Sequence, residues 1–329
     1  MATASEIKEA AAILRFGGLV AFPTETVYGL GADADNEAAV RKIFAAKGRP
    51  ADHPVIVHLA EMMEMVEWSG QIPKEAWRLA ETYWPGPLTL ILPRLPRAKD
   101  VVTGGLDTVG LRVPSHPVAQ SLLREFGGAI AAPSANRFGN VSPTRAEHVR
   151  QDFAGRVDLI LDGGDCEVGL ESTIVDLSGD EPVILRPGAI TQQQVEAVCG
   201  RHMASPETSS TRCSGRLASH YAPRAELELV ETAALMEKVQ TLAQQGKKVA
   251  VLGAGDVRLP PGIERIDWEG TSEEKAHNLY AALREVDERQ CQWALVVMPP
   301  LEADDSGLAA AILDRLQKAA APRVSEPSP

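Results

Sequence analysis

Four cationic residues stand in apolar or glycine-rich surroundings in the N-terminal part of the chain, a setting that favours anion binding. They are Lys47, Arg49, Arg112 and Arg186. Arginine grips a phosphate or carboxylate with a bidentate fork, whereas lysine acts as a point charge. The alternative for Lys47 and Arg49 is that they stabilise the C-terminal end of a helix. Arg112 needs an anionic partner if it is buried, and that partner is either a structural carboxylate or a ligand.

Small polar side chains follow several apolar runs, at the points where strands are expected to end. They are Thr24, Thr26, Ser134, Asn136, Ser142 and Ser172. Because ligands of α/β folds bind at strand ends, these groups are candidates for hydrogen bonds to a polar ligand. After the predicted strand at 19–22, the alternative is a helix that begins at Pro23-Thr24 with Glu25 in its first turn. His58, inside the apolar run 54–59, is either a core residue or a ligand contact.

Several motifs that would define other chemistries are missing from the sequence. There is no GxxxxGK[ST] phosphate loop, no Ser-His-Asp order, no general-base pair and no His/Cys cluster of the kind that binds metal. The four cysteines lie far apart without a CxxC pair, which fits a reduced cytoplasm. A nucleotide would therefore bind without the usual phosphate loop, and positioning with charge neutralisation would carry its chemistry.

The length of 329 residues predicts about two domains. The predicted division is a first domain over 1–202, a linker or lid over 203–224 and a C-terminal domain over 225–329. Helices of the first domain are predicted at 5–16 with Ser5 as N-cap, at 36–46, 62–68, 74–83 and 191–199, and up to Val149 after a Ser142-Pro143-Thr144 cap. Strands are predicted at 19–22, 54–59, 88–92, 109–114, 129–132, 159–161 and 183–189, with a loop leading into a strand over 169–177. Residues 93–107 are expected to form a surface loop.

The C-terminal domain has the alternating strands and helices of a small Rossmann-like α/β fold. Strands are predicted at 227–230, 249–252, 263–268 and 293–298, and helices at 233–243, 272–289 and 307–319. Gly253-Ala254-Gly255 after a strand is only part of a GxGxxG fingerprint. Residues 321–329 are expected to form a disordered tail.

Charge and hydropathy exclude several kinds of partner. The net charge is −12 and neither domain is basic, so the chain has no electrostatic attraction for nucleic acid. No apolar run approaches the ~18–20 residues of a membrane span. The N-terminus lacks the charged and apolar regions of a signal peptide. These features favour a cytoplasmic protein without a membrane partner.

A series of short motifs runs in order through the first domain and resembles the YrdC-type threonylcarbamoyl-AMP synthase family. The motifs are PTETVYGLG at 23–31, KGRP at 47–50, HPVIVH at 53–58, WPGPLT at 84–89, VGLRVPSHP at 109–117, APSAN at 132–136, ESTIVD at 171–176 and LRPGAI at 185–190. SHYAP at 219–223, followed by a small α/β domain, resembles the long two-domain form of the family. The resemblance implies a YrdC-like twisted mixed sheet with flanking helices.

The resemblance also implies an activity and a set of partners. Members of the family join L-threonine, bicarbonate and ATP into L-threonylcarbamoyladenylate and pyrophosphate, with Mg²⁺ accompanying ATP. The product feeds threonylcarbamoylation of an adenosine beside the anticodon of tRNA, through a downstream transferase complex. Whether the chain itself binds tRNA is left open.

Site residues carry over from the family motif by motif. Threonine would be held by Thr26, His58, Arg112 and Ser172. ATP would be held by Arg49, His53, Thr108, Ser134, Asn136, Ser142, Arg186 and Tyr221. Lys47 and Arg49 would face the phosphates as catalytic cations, and Mg²⁺ would be held through the ATP phosphates without protein ligands.

The sequence departs from the family pattern at two of these motifs. His53 stands where many relatives have Asn, and Ser219 stands where relatives have a basic residue before His220. Two alternative hypotheses for the function involve the same type of domain. One is an RNA-binding protein with a YrdC-like surface, which the acidic charge disfavours. The other is a hydrogenase-maturation carbamoyl transferase, whose acylphosphatase-like module and zinc-finger cysteines are missing from this sequence.

Overall fold

A computed structural model describes residues 1–206, 209, 211–213, 215, 219–298 and 308–322. The chain divides into two compact units. The first unit comprises residues 1–138 and 142–216, and the second comprises residues 139–141 and 217–329. Residues of the predicted linker, 203–224, fall on both sides of this division.

The first unit is built on one mixed sheet. Its strands are β1 (Val20–Phe22), β2 (Gly29–Asp33), β3 (Val57–His58), β4 (Leu88–Pro93), β5 (Thr108–Arg112), β6 (Ile130–Ala131), β7 (Leu159–Ile160), β8 (Thr173–Asp176) and β9 (Val183–Arg186). Their order in the sheet is β7-β1-β2-β6-β3-β5-β4-β8-β9. The pairs β1–β7, β3–β5 and β4–β8 are parallel, whereas β1–β2, β2–β6, β3–β6, β4–β5 and β8–β9 are antiparallel. The predicted mixed α/β sheet is confirmed.

Helices cover both faces of this sheet. They are α1 (Ala4–Arg15), α2 (Glu37–Lys47), a 3₁₀ helix (Met62–Glu67), α3 (Lys74–Tyr83), α4 (Asp100–Thr103), α5 (Pro117–Phe126), α6 (Ala146–Phe153) and α7 (Gln192–Cys199). On one face, α1 and α5 pack against Phe22 and Ile130. On the other face, α2, α3, α6 and α7 share a larger core with Ala21 and Leu90. The strands are short and buried, so their sequences are apolar runs rather than alternating patterns.

The structure corrects several predicted helices. Helix α1 is capped by Thr3 and not by Ser5, since Thr3 and Glu6 form a capping box. The predicted loop 93–107 contains α4. The helix expected to follow Ser142 begins only at Ala146.

The structure differs from the sequence-based expectations at three further places. Helix α5 was not predicted, although His116 caps it and Pro117 occupies its first turn. A helix beginning at Pro23-Thr24 is wrong, because the turn after β1 leads directly into β2. The predicted strand at 54–59 pairs only at Val57–His58.

The second unit contains a parallel sheet with the order β10-β13-β11-β12. Its elements are β10 (Glu226–Val230), α8 (Thr232–Gln244), β11 (Val249–Leu252), β12 (Glu264–Ile266), α9 (Ser272–Glu288), β13 (Trp293–Val297) and α10 (Leu308–Ala320). Gly307 of the last predicted helix, and residues 323–329 of the predicted tail, lie outside the described residues. Among the helices of the described residues, none is both long and apolar enough to cross a membrane.

Substitution of Gly31 tests the close packing between β1 and β2. A Cβ atom at Gly31 would lie 2.7 Å from Ile130 Cγ2 and 2.8 Å from Phe22 Cε1. Both neighbours are fully buried, so Gly31→Ala is expected to destabilise the first unit by about 1–3 kcal/mol through overpacking. The measurement is urea unfolding combined with hydrogen exchange of β1 and β2.

Gly110→Ala is the matched control on the same sheet, because its Cβ would meet only ordinary contacts from 3.6 Å outward. Equal destabilisation by the two substitutions would contradict the overpacking explanation and point to glycine flexibility instead.

Candidate functional site

The end of β5 carries a buried arginine that is paired with a carboxylate of the chain itself. Arg112 Nη2 lies 2.6 Å from Glu25 Oε1, and both side chains are only 5% exposed. Arg112 Nε donates to the carbonyl of Gly86 at 3.3 Å, and Glu25 Oε2 accepts from the amide of Ser115 at 3.0 Å. The structure therefore shows the structural carboxylate that the sequence left as one of two alternatives. Within the described residues, Arg112 Nη1 has no hydrogen-bond partner, so this nitrogen is the one placed to meet a ligand.

His58 is the register partner of Arg112 across the parallel pair β3–β5. Its ring is buried and packs edge-on against Phe22, with the ring centroids 6.0 Å apart. Burial, assisted by the charge of Arg112, lowers the pKa of His58 to about 3, so the ring is neutral at pH 7. Nδ1 is buried without a hydrogen-bond partner in the described part of the chain. A buried polar atom left in this state is costly, which makes His58 a candidate ligand contact.

The turn after β1 is organised by Thr24. Its Oγ1 donates to the carbonyl of Val27 at 2.6 Å and accepts from the amides of Thr26 and Val27 at 3.2 Å. The hydroxyls of Thr24 and Thr26 are 2.8 Å apart. Because Thr24 already donates to Val27, Thr26 is the donor in this contact and keeps its lone pairs for another group.

Three loops that carry predicted site residues are joined by backbone hydrogen bonds. The amide of Tyr28 donates to the carbonyl of Pro143 at 2.9 Å, and the amide of Ala135 donates to the carbonyl of Tyr28 at 2.7 Å. The amide of Leu30 donates to the carbonyl of Pro133 at 2.8 Å. The segments that contain Thr26, Ser134, Asn136 and Ser142 therefore meet beside the start of β2 and the end of β6.

Lys47 reaches from the last turn of α2 into one of these loops. Its Nζ donates to the carbonyls of Ser134 and Asn136, while Ser134 Oγ donates to Asn136 Oδ1 at 2.5 Å. The side chain is buried, and burial together with the charge of Arg49 holds the pKa of Lys47 well below its usual range. The helix end itself is closed by Gly48 in a left-handed conformation. Lys47 thus fixes the loop at 134–136 rather than capping its own helix.

Arg49 and His53 follow α2 on the same segment. Arg49 is buried and its Nη2 donates to the carbonyl of Pro54 at 2.9 Å. The half-buried ring of His53 meets Phe138 edge-on, with the centroids 5.4 Å apart. Burial and the charge of Arg49 lower the pKa of His53. The neutral ring therefore adds no positive charge to this segment at neutral pH.

A second hydrogen-bonded cluster joins three strands on the far side of the sheet. Ser172 Oγ lies 2.7 Å from Thr89 Oγ1 and accepts from Arg186 Nη2 at 3.0 Å. Arg186 Nε also donates to the carbonyl of Ser172 at 3.0 Å. Ser172, predicted to bind threonine, and Arg186, predicted to bind ATP, are thus direct neighbours. Ser142 Oγ donates to the buried Glu171 at 2.5 Å, beside this cluster.

The last two predicted residues lie in different units. Thr108 begins β5 and lines a pocket of the first unit together with Thr89. Tyr221 belongs to the second unit and is buried there with a φ of 61°. Its ring stacks on Tyr280 with the centroids 5.7 Å apart, and the guanidinium of Arg315 lies 5.3 Å from the ring.

Sequence reasoning missed three residues that hold the site together, namely Glu25, Glu171 and Thr89. A carboxylate inside an otherwise apolar or hydroxyl-rich motif is a usable signal, since a buried carboxylate requires a cation or several donors. Both Glu25 and Glu171 stand in such motifs. Thr89 carries no comparable signal, because a threonine in a strand is ordinary.

Within the described ranges, no group of three or more His, Cys, Asp or Glu residues is arranged to hold a metal ion.

A mixed sheet with buried cations and hydroxyls at its strand ends, together with a second unit that has a parallel sheet, defines a two-domain α/β protein with a candidate anion-binding site. The chain belongs to the Sua5/YciO/YrdC family, whose model, described as telomere recombination, matches residues 12–188. A second model, described as the C-terminal domain of threonylcarbamoyl-AMP synthase, matches residues 190–321. The family membership predicted from the motifs is confirmed.

Relatives extend this similarity to the whole chain. A threonylcarbamoyl-AMP synthase of Pyrococcus abyssi is 42% identical across 97% of this chain and 95% of the relative. A protein of the same name from Bacillus subtilis is 44% identical across 97% of this chain and 94% of the relative. The crystal structure of P. abyssi Sua5 complexed with L-threonine is similar with a TM-score of 0.89 at 42% identity, covering 95% of this chain and 94% of that chain.

The neutral His58 predicts a pH dependence of stability. The pKa is about 3 in the folded protein and about 6.5 in the unfolded chain, so the unfolded chain binds the extra proton between these values. The part of the free energy of unfolding that depends on neutral His58 is therefore fully present above pH ~6.5. It decreases by up to ~1.4 kcal/mol per pH unit as the pH falls toward 3. His58→Gln should show a shallower loss over this range in urea unfolding.

His202→Gln is the control, because the side chain of His202 is 96% exposed. It should reproduce the pH profile of the parent. A profile for His58→Gln that runs parallel to the parent would show that His58 does not lose its proton on folding.

Proposed function

We propose that the protein is an L-threonylcarbamoyladenylate synthase, a nucleotidyltransferase that converts L-threonine, bicarbonate and ATP into L-threonylcarbamoyladenylate and pyrophosphate. The observation that carries this proposal is the similarity to threonylcarbamoyl-AMP synthases across 97% of the chain. We further propose that the product serves tRNA modification beside the anticodon, through a downstream threonylcarbamoyl transferase complex.

The threonine site is proposed around Arg112 and His58. The free Nη1 of Arg112 is suited to the substrate carboxylate, because Glu25 already fixes the plane of the guanidinium. The buried Nδ1 of His58 and the hydroxyl of Thr26 are suited to the polar groups of threonine. Ser172, held between Thr89 and Arg186, completes the proposed set.

The ATP site is proposed along the loops that Lys47 joins. Lys47 and Arg49 are the proposed catalytic cations, since both are buried beside polar loops and a phosphate would relieve the burial of their charges. The other proposed contacts are His53, Thr108, Ser134, Asn136, Ser142 and Arg186. For Tyr221, which packs in the second unit, contact with ATP stays a prediction from the family resemblance. Mg²⁺ is proposed to enter with ATP as its phosphate complex and to neutralise charge there.

The proposed reaction has two steps. The amine of threonine adds to bicarbonate with loss of water and gives an N-carboxylate. An oxygen of this carboxylate attacks the α-phosphorus of ATP, the bond to the bridging oxygen breaks, and pyrophosphate leaves. Negative charge builds on the phosphoryl oxygens and the leaving group, where Lys47 and Arg49 would stabilise it.

A cytoplasmic location is proposed as well. Cys166, Cys199 and Cys291 are free and buried, as expected in a reducing compartment. We also propose that the first domain ends at residue 202 and that the C-terminal domain begins at residue 225.

The assay for the proposed function is pyrophosphate release from MgATP and bicarbonate, with and without L-threonine, and with serine and alanine as controls. Release that requires threonine and bicarbonate, with threonylcarbamoyladenylate identified by mass spectrometry, is the expected result. Release independent of threonine would indicate ATP hydrolysis and contradict the proposal. Folded protein that releases no pyrophosphate would contradict it as well.

Arg112→Lys tests the proposed carboxylate contact while keeping a positive charge beside Glu25. A lysine lacks the planar fork, so KM for threonine should rise roughly 10–100-fold while the Kd for ATP stays unchanged. Steady-state kinetics and ATP titration measure the two quantities.

Arg94→Lys is the control, since Arg94 pairs with Asp100 at the surface of the same unit at 2.7 Å. It should leave both quantities unchanged. A KM for threonine that is the same in Arg112→Lys as in the parent would remove Arg112 from the threonine site.

A further inference from the structure

Arg212 is a half-exposed cation of the first unit. It lines the same pocket as Thr108, with the apolar side chains of Pro54, Ile56 and Ile174 as walls. Apolar walls with a few convergent polar groups are typical of a small-molecule site. Thr108 is already a proposed ATP contact, so this pocket belongs to the region proposed to take the nucleotide.

Within the described residues, the guanidinium of Arg212 has two hydrogen-bond partners. Nη1 lies 3.1 Å from Asp52 Oδ2, and Nη2 donates to the carbonyl of Gly104 at 3.1 Å. The side chains are 50% and 63% exposed for Arg212 and Asp52, respectively. An ion pair this exposed contributes little, so Arg212 can exchange Asp52 for another anion at small cost.

Arg212 is one of three charged groups that act on the pKa of the neighbouring His53 ring. Asp52 directly precedes His53 and raises this pKa, whereas the charges of Arg49 and Arg212 lower it. Together these two arginines and one aspartate carry one net positive charge. An anion with several charges is favoured at such a place over a neutral group.

We propose that Arg212 is a further ATP-binding residue that contacts the phosphate chain, with Asp52 as its partner when ATP is absent. The inference rests on the proposed function, because it assumes that ATP occupies the first unit. The guanidinium fork matches a phosphate better than it matches a neutral base or sugar. The ion pair with Asp52 keeps the guanidinium near the site, and this ion pair breaks when the phosphate binds to Arg212.

The experiment is a titration of ATP, AMP and adenosine, without threonine, into the full chain and two variants. Arg212→Gln should weaken ATP binding about tenfold, AMP binding by less, and adenosine binding not at all. Asp52→Asn removes the competing carboxylate and should bind ATP as tightly as the parent or more tightly. The difference between Arg212→Gln and the parent should shrink in high salt.

Each other outcome overturns the inference. Equal loss of ATP and adenosine binding in Arg212→Gln would place the contact at the base or sugar. Equal loss of ATP binding in both variants would show that the Arg212–Asp52 pair only holds its segment in place. Unchanged ATP binding in a folded Arg212→Gln variant would remove Arg212 from the site while leaving the proposed function intact. Failure of the parent to bind ATP would instead contradict both.

Discussion

The pairing of Arg112 with Glu25 is the constraint on which the site depends. Removing one partner of a buried ion pair costs about 3–5 kcal/mol, because the remaining charge stays in a poorly solvated place. The pair fixes the end of β5 against the turn after β1, and Gly86 and Ser115 complete its hydrogen bonds. Since Glu25 already neutralises Arg112, the proposed selection of a ligand carboxylate would depend on the orientation of Nη1 rather than on excess charge.

The charge of Lys47 is compensated in a different way from the charge of Arg112. The partners of its ammonium group are carbonyls of Ser134 and Asn136, which are dipoles without net charge. Its charge is therefore poorly compensated, and its pKa is lowered well below the usual range. A phosphate placed near it would restore the stability of the charged form. In the proposed site, Arg112 would therefore orient the bound carboxylate, whereas the charged form of Lys47 would be stabilised by the bound phosphate.

Local signals predicted most elements but could not supply the partners of the site residues. Helix α2 has a capping Asn36 before it and Gly48 after it, and both signals stand next to the helix in the sequence. The partner of Arg112 lies 87 residues away, and although the motif around Glu25 signals a buried carboxylate, nothing in the sequence pairs Glu25 with Arg112. The apolar run 54–59 predicted a strand that is longer than the observed one, Val57–His58. Residues of such a run can be buried without pairing to a neighbouring strand. The motifs predicted a set of site residues. The contacts between the atoms of these residues depend on the three-dimensional arrangement of the loops.

The net charge of −12 opposes the approach of an anion, yet four cations of the first unit, namely Lys47, Arg49, Arg112 and Arg186, are buried. Surface charges are screened beyond about 8 Å at physiological ionic strength, whereas buried charges are screened much less. Affinity for an anionic substrate is therefore expected to depend mainly on these buried cations. The acidic surface disfavours long polyanions such as RNA, which need a continuous basic face. A small anion that binds at the proposed site would meet mainly these buried cations, so an acidic protein is compatible with binding ATP.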